Sequence, residues 1–147
     1  MPYRSRLVAV LFQRKRREDD LSRAFLTAKN HLVAEQERLR LLEIKLQTTL
    51  DDLTAKQEGG STSEEIALYL RFIGMLQGAV DKQMRVVLHQ EGVCELNRAQ
   101  LATAVKERKA VETIDGKREK DYLKAVTKKE QAVLDEIGGQ LKMRQHV

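Results

Sequence analysis

The chain has 147 residues, of which 33% are charged, and it contains three Phe, three Tyr and no Trp. So few bulky apolar side chains exclude a rounded core, whereas abundant Ala, Glu, Lys, Leu and Arg in heptad spacing predict long helices. The 27 basic and 22 acidic residues are interspersed and lack aromatic stacking partners, so the net charge of +5 does not predict nucleic-acid binding.

The first predicted helix spans about residues 5–57 and carries a heptad repeat. One series is apolar at every seventh position, and the interleaved series has two polar members. The first series is Phe25, Leu32, Leu39, Leu46 and Leu53; the second is Leu21, Ala28, Glu35, Leu42 and Thr49. Heptads sustained over this length predict a left-handed coiled coil.

A dense basic run, Arg14-Lys15-Arg16-Arg17, precedes three acidic residues near the start of this helix. The spacing predicts pairs one turn apart, Arg14 with Glu18 and Arg16 with Asp20, on a solvated face. The alternative is that Arg14, Arg16 and Arg17 engage the acidic surface of a partner.

The sequence EGGSTSEE, residues 58–65, marks the clearest break, and we place a joint at residues 58–63. Gly59-Gly60 ends the first helix because glycine accepts left-handed dihedrals. Ser61 to Glu64 resembles a capping box, in which a Ser hydroxyl accepts a hydrogen bond from the amide three residues on.

The second helix is predicted from residue 63 to about 143, with a possible break near Gly116. Its seam series is Ile66, Ile73, Val80, Val87, Cys94 and Leu101, and its companions are Tyr69, Leu76, Gln83, Gln90, Asn97 and Ala104. The polar companions either fix the register or loosen the seam. Cys94 at a seam position is interpreted as a small buried hydrophobe, and a lone cysteine cannot form a disulfide within the chain.

A short joint between two heptad helices predicts an all-α fold, a long antiparallel two-helix coiled-coil hairpin in a single domain. Equal rise per residue on both sides places residue 5 opposite about residue 115. Everything after Gly116 should then overhang without an intramolecular partner, including the thin stripe of Tyr122, Val126, Val133 and Ile137. The alternative is a turn at residues 113–117 that folds the last segment back as a third helix.

A second apolar stripe lies beside the seam of the second helix. It comprises Leu68, Phe72, Met75 and Ala79, and Leu76 borders both stripes. Because a hairpin buries one stripe per helix, this one should face a partner unless the apolar N-terminal residues or a second copy of the chain cover it.

Catalysis has no evident basis in the sequence, and neither a metal nor a cofactor is expected. His31, His89 and His146 are scattered, and the glycines form no phosphate loop. No stretch reaches the roughly 20 apolar residues that cross a bilayer, and the N-terminus lacks a secretory cleavage pattern. We expect a cytoplasmic, non-enzymatic protein, at most peripheral to a membrane.

Two stretches of the chain resemble a known family. The opening YRSRLVAVLFQRKRREDDLSRAFLTAKNHLVAEQERLRLLEIKL is similar to the start of the flagellar export protein FliJ family. The C-terminal ERKAVETIDGKREKDYLKAVTKKEQAVLDEIGGQLKMRQ is similar to that family in its Arg-Lys, apolar, Glu pattern, in Tyr122, in Glu130-Gln131 and in Leu134-Asp135-Glu136. The chain has glycine at Gly116 and Gly138-Gly139, where the family usually has charged residues.

The resemblance implies a component of the flagellar type III export apparatus, a coiled coil similar to the stalk of rotary ATPases. Such a protein inserts into the hexameric export ATPase, contacts the cytoplasmic domain of the export gate at the inner membrane and escorts substrate chaperones. The C-terminal stripe and the N-terminal arginines would then bind the ATPase, and the second stripe together with Leu76 would bind the gate or the chaperones. The alternatives are an injectisome stalk of the YscO type and a self-assembling coiled-coil scaffold.

Overall fold

A computed structural model describes residues 2–145, and within that range the chain is helical without a strand. Helix α1 runs from Val8–Glu58 and helix α2 from Ser63–Gln145, with a four-residue joint at 59–62. The two long helices pack against each other, which confirms the predicted all-α two-helix hairpin. Helix α2 continues through Gly116, so the alternative of a turn at residues 113–117 is wrong.

The joint ends one helix and begins the next with separate caps. Gly60 has a φ of 81°, the left-handed conformation that favours glycine, and the Ser61 hydroxyl donates to the Lys56 carbonyl at 2.6 Å. The Glu65 amide donates to the Thr62 hydroxyl at 3.3 Å, so Thr62 is the N-cap of α2. The predicted capping box is therefore wrong by one residue, because Ser61 is engaged with the end of α1.

The chain divides into two units, which we describe separately. The apolar-seam unit is Asp20–Ala102, and the charged-seam unit joins the residues up to Asp19 with those from Thr103 onwards. Each unit contains a stretch of both helices. The difference between them lies in the side chains that occupy the heptad positions.

In the apolar-seam unit, every predicted heptad residue is buried or half-buried. The buried ones are Ala28, Thr49, Leu53, Ile73, Leu76, Val80 and Val87. Thr49 satisfies its hydroxyl by donating to the Lys45 carbonyl at 2.8 Å. The Gln83 amide nitrogen donates across the seam to the carbonyl and carboxylate of Glu35, at 2.9 and 2.5 Å. This pair of bonds gives the seam one polar layer with a defined register.

In the charged-seam unit, the heptad positions of α1 continue backwards as Glu18, Arg14 and Leu11, and all three are half-buried. Arg14 Nη1 lies 2.8 Å from Glu107 Oε2, and Arg108 binds both Glu18 and Glu112. The predicted pairing of Arg14 with Glu18 along one helix is therefore wrong. Both side chains point toward α2, where Arg14 meets the carboxylate of Glu107 and Glu18 meets the guanidinium group of Arg108.

Candidate partner-binding surfaces

An extended N-terminal segment binds α2 inside the charged-seam unit. The Ser5 hydroxyl donates to Asp115 Oδ1 at 2.5 Å, and the Tyr3 hydroxyl donates to the same oxygen at 2.9 Å. Desolvation, together with the bond to Asp115, raises the pKa of Tyr3. We call this arrangement of Tyr3, Ser5 and Asp115 the N-terminal clasp. It confirms the predicted register, in which residue 5 lies opposite residue 115.

The clasp reaches farther along α2 than predicted. The rings of Tyr3 and Tyr122 pack with their centroids 5.6 Å apart, and Val126 is half-buried. The prediction that all residues after Gly116 lack an intramolecular partner is thus wrong for this stretch. The residues before α1 are not helical, so each can cover up to about 3.3 Å, against 1.5 Å for a residue in a helix.

Acid is expected to release the clasp. The hydrogen bonds from Ser5 and Tyr3, with the attraction of Arg118, hold the pKa of Asp115 below its ordinary value of 3.8. The clasp is therefore fully stabilised above pH 3.8, and that stability is lost as the pH falls through the lower, folded pKa. The amide NMR signals of residues 3–6 should shift together in acid. They should not do so in Asp115→Asn, whose amide oxygen still accepts both bonds; a transition that survives there would implicate another carboxylate.

The terminal helix segment, residues 127–145, is exposed at every position. Val133 and Ile137 of the predicted stripe lie here, and sequence reasoning missed three further exposed apolar residues. These are Leu134, Leu141 and Met143. The sequence spacing could have predicted two of them, because Leu134 and Leu141 are seven residues apart and adjoin the predicted stripe. The segment therefore presents a broader apolar face than the sequence analysis proposed.

The basic run near the start of α1 is only partly available to a partner. Arg14 is held by Glu107, whereas Arg16 and Arg17 are exposed. Among residues 2–145, no carboxylate lies within ion-pair distance of Arg16 or Arg17, so the predicted Arg16–Asp20 pair is absent. Two of the three predicted arginines thus present uncompensated positive charge.

The second stripe lies in the apolar-seam unit, and most of it faces outward. Leu68 is 65% exposed, Met75 72% and Phe72 38%, while Ala79 is half-buried. Lys45 Nζ lies 5.4 Å from the centroid of the Phe72 ring, a cation–π distance. Leu76, also expected to bind the gate or the chaperones, is 6% exposed and belongs to the packed seam, so its side chain is not on the outward surface.

The described residues contain no group of three or more His, Cys, Asp or Glu side chains that could hold a metal ion. Cys94 is half-buried and reduced, and His146 lies outside the described residues. Within residues 2–145, neither helix has a segment long and apolar enough to cross a membrane.

The comparisons with known proteins agree with this architecture. A family model described as the flagellar FliJ protein matches residues 3–146. Among solved structures, CT670 from Chlamydia trachomatis, which is assigned as a YscO homologue, is similar with a TM-score of 0.65. The identity is 24%, over 99% of this chain and 98% of that chain, so this likeness shows the fold alone. No curated protein matches the chain. Because the family match covers nearly the whole sequence, the chain belongs to the flagellar FliJ protein family.

Proposed function

We propose that the chain is a non-enzymatic stalk on the cytoplasmic side of the flagellar export apparatus. In this role it inserts one end into the hexameric ring of the export ATPase and presents its flank to the export gate and to substrate chaperones. One observation carries the proposal: residues 127–145 form a continuous helix in which every side chain is exposed.

A helix of this kind needs a partner. Isolated helices of this length are marginally stable in water, and an exposed apolar face contributes nothing to stability until it is covered. The segment is roughly 28 Å long at 1.5 Å per residue. The same unit contributes the exposed guanidinium groups of Arg16 and Arg17, which suit an acidic rim around an apolar channel.

The flank that we assign to the gate or the chaperones is the second stripe. Leu68, Phe72 and Met75 expose apolar surface next to one another on α2, and Lys45 adds a positive charge beside Phe72. Exposed aromatic and Met side chains are enriched at protein interfaces. Ala79 is small and half-buried, so it leaves room for a partner side chain at the end of the stripe.

A stalk acts on ATP turnover without taking part in the chemistry. It can change turnover only by contacting neighbouring ring subunits differently, so its effect is a coupling free energy between stalk contact and nucleotide state. The stiffness of the apolar seam would allow the same contact to bias a second partner.

The test is ATP turnover by the cognate export ATPase with the full chain and with variants of the terminal helix segment. Val133→Glu should weaken ring binding by roughly tenfold or more and reduce stimulation, because a carboxylate would enter an apolar contact. Gln131→Glu is the control, since it adds the same side chain on the opposite face of the helix from Val133 and removes only the exposed hydrogen bond from Gln131 to Asp135. A chain that ends at Thr127 keeps the clasp and should not stimulate turnover.

Two results would contradict the proposal. Equal stimulation by Val133→Glu and Gln131→Glu would show that the apolar face does not contact the ring. Absence of binding by the full chain would leave the self-assembling scaffold, which predicts a stable homodimer that buries Leu68 and Met75. An injectisome stalk of the YscO type is the other candidate; its structural support is the likeness to CT670, and genome neighbourhood distinguishes it.

A further inference from the structure

A cleft in the charged-seam unit gathers three arginine side chains that form no ion pair within residues 2–145. The cleft has a volume of about 410 Å³ and is lined by Tyr3, Arg4, Arg6, Arg118 and Tyr122. The clasp assembles it, because Tyr3 and Ser5 bind Asp115 and so fix the extended segment beside α2. The N-terminal segment thus contributes Arg4 and Arg6 to the lining, and α2 contributes Arg118.

The three guanidinium groups have no ion-pair partner within residues 2–145. Arg118 attracts the carboxylate of Asp115, but Asp115 Oδ1 already accepts hydrogen bonds from the Ser5 and Tyr3 hydroxyls. The lining of the cleft therefore carries three positive charges and no carboxylate. Arginine side chains that line one cleft repel one another, and an anion bound among them removes that repulsion.

From this cleft we infer a binding site for a phosphate dianion, supplied as inorganic phosphate or as a phosphate monoester. A phosphate monoester carries about −1.5 to −2 charge at pH 7 and has three strong acceptor oxygens. It therefore matches both the excess charge and the three planar guanidinium donors, which bind phosphate bidentately. A single carboxylate offers one charge and two oxygens, and it would leave one arginine unsatisfied.

Binding would also tighten the clasp. A bound anion joins Arg4 and Arg6 of the extended segment to Arg118 of α2, so it stabilises the docked segment by linkage. This inference does not depend on the proposed export role, because neither the anion nor its test involves the ATPase.

The experiment is an NMR titration of the full chain with sodium phosphate at constant ionic strength and near-neutral pH. The amide signals of residues 3–6 and 118–122 should shift along one saturable curve. Sodium acetate should produce no saturable shift. Glycerol phosphate in a parallel titration identifies the source: tighter binding than inorganic phosphate assigns the site to an ester, and weaker binding assigns it to the free ion.

Two variants are expected to change the phosphate affinity in opposite directions, which separates an electrostatic effect from loss of the clasp. Arg118→Gln should weaken phosphate binding by roughly tenfold or more, because it removes charge-assisted hydrogen bonds. Asp115→Asn keeps an acceptor for Ser5 and Tyr3 but removes the opposing charge, so it should tighten binding. Arg85→Gln, on an exposed position of the apolar-seam unit, is the matched control and should leave the affinity unchanged.

The inference is overturned if the shifts do not saturate, if acetate produces the same curve, or if Arg118→Gln and Arg85→Gln bind phosphate equally. Weakened binding in Asp115→Asn would also overturn it, because that result would reflect loss of the clasp and not a charge-selective site.

Discussion

Replacement of Leu76 by alanine is expected to lower the free energy of unfolding by about 2–5 kcal/mol. Leu76 is 6% exposed and fills a seam position between the two helices. Truncation removes buried methyl groups and leaves a cavity that the two packed helices, each held by its own hydrogen bonds, can only partly close. Urea denaturation followed by helical circular dichroism measures the change directly.

Met75 provides the matched control, one position earlier in the same helix. Its side chain is 72% exposed, and alanine is an equally good helix former, so Met75→Ala should change the unfolding free energy by less than about 0.5 kcal/mol. Equal destabilisation by the two substitutions would show that the stripe, and not only the seam, is covered within the chain or by a second copy.

Substitutions at Phe72 in the stripe and at Leu76 in the seam separate loss of partner binding from loss of stability. Phe72→Asp should keep the helical content and weaken binding to the gate or the chaperones, because the Phe72 ring is partly exposed and lies outside the seam. A substitution at Leu76 that weakens partner binding would act through loss of stability. Collapse of helicity in Phe72→Asp would instead place Phe72 in the core.

Replacement of Arg108 by leucine is expected to open the charged-seam unit while the apolar-seam unit stays closed. Arg108 binds Glu18 across the seam and Glu112 one turn along α2, and both bonds raise its pKa. The substitution leaves two half-buried carboxylates near each other without a cation, which favours separation of the helices. Amide hydrogen exchange should accelerate in residues 8–19 and 103–115, with little change in residues 66–101.

The rescue variant is the double replacement Arg108→Leu and Glu18→Leu. It removes Glu18, one of the two carboxylates left without a cation, and extends the apolar seam, so local exchange should fall toward the native rate. High salt should accelerate exchange in the native charged-seam unit and have a smaller effect in the double variant, which within residues 2–145 keeps only the Arg14–Glu107 pair across the seam. Failure of the double variant to restore protection would mean that the ion pair supplies geometry that packing cannot replace.

The sequence by itself determined the two helices, their seam and their register. Heptad spacing is a property of one helix, and an apolar series such as Ile73, Val80 and Val87 has only one face to bury. Since both helices rise equally per residue from the joint, the position opposite Asp115 followed by counting. The exposed stripe of Leu68, Phe72 and Met75 followed from the same argument, because the seam accounts for a single stripe.

Only the tertiary structure decided which polar groups meet. The Arg14 and Glu18 side chains are one turn apart, yet each binds α2, because a long charged side chain can reach oppositely charged groups on either helix. The clasp has no periodicity to detect, since Tyr3 and Ser5 act from an extended segment whose reach depends on its backbone and not on a repeat. The cleft beside it unites Arg6 and Arg118, which are far apart in sequence and share no motif. Periodic packing can be predicted from sequence spacing, whereas contacts made by long side chains and an extended segment depend on their surroundings in three dimensions.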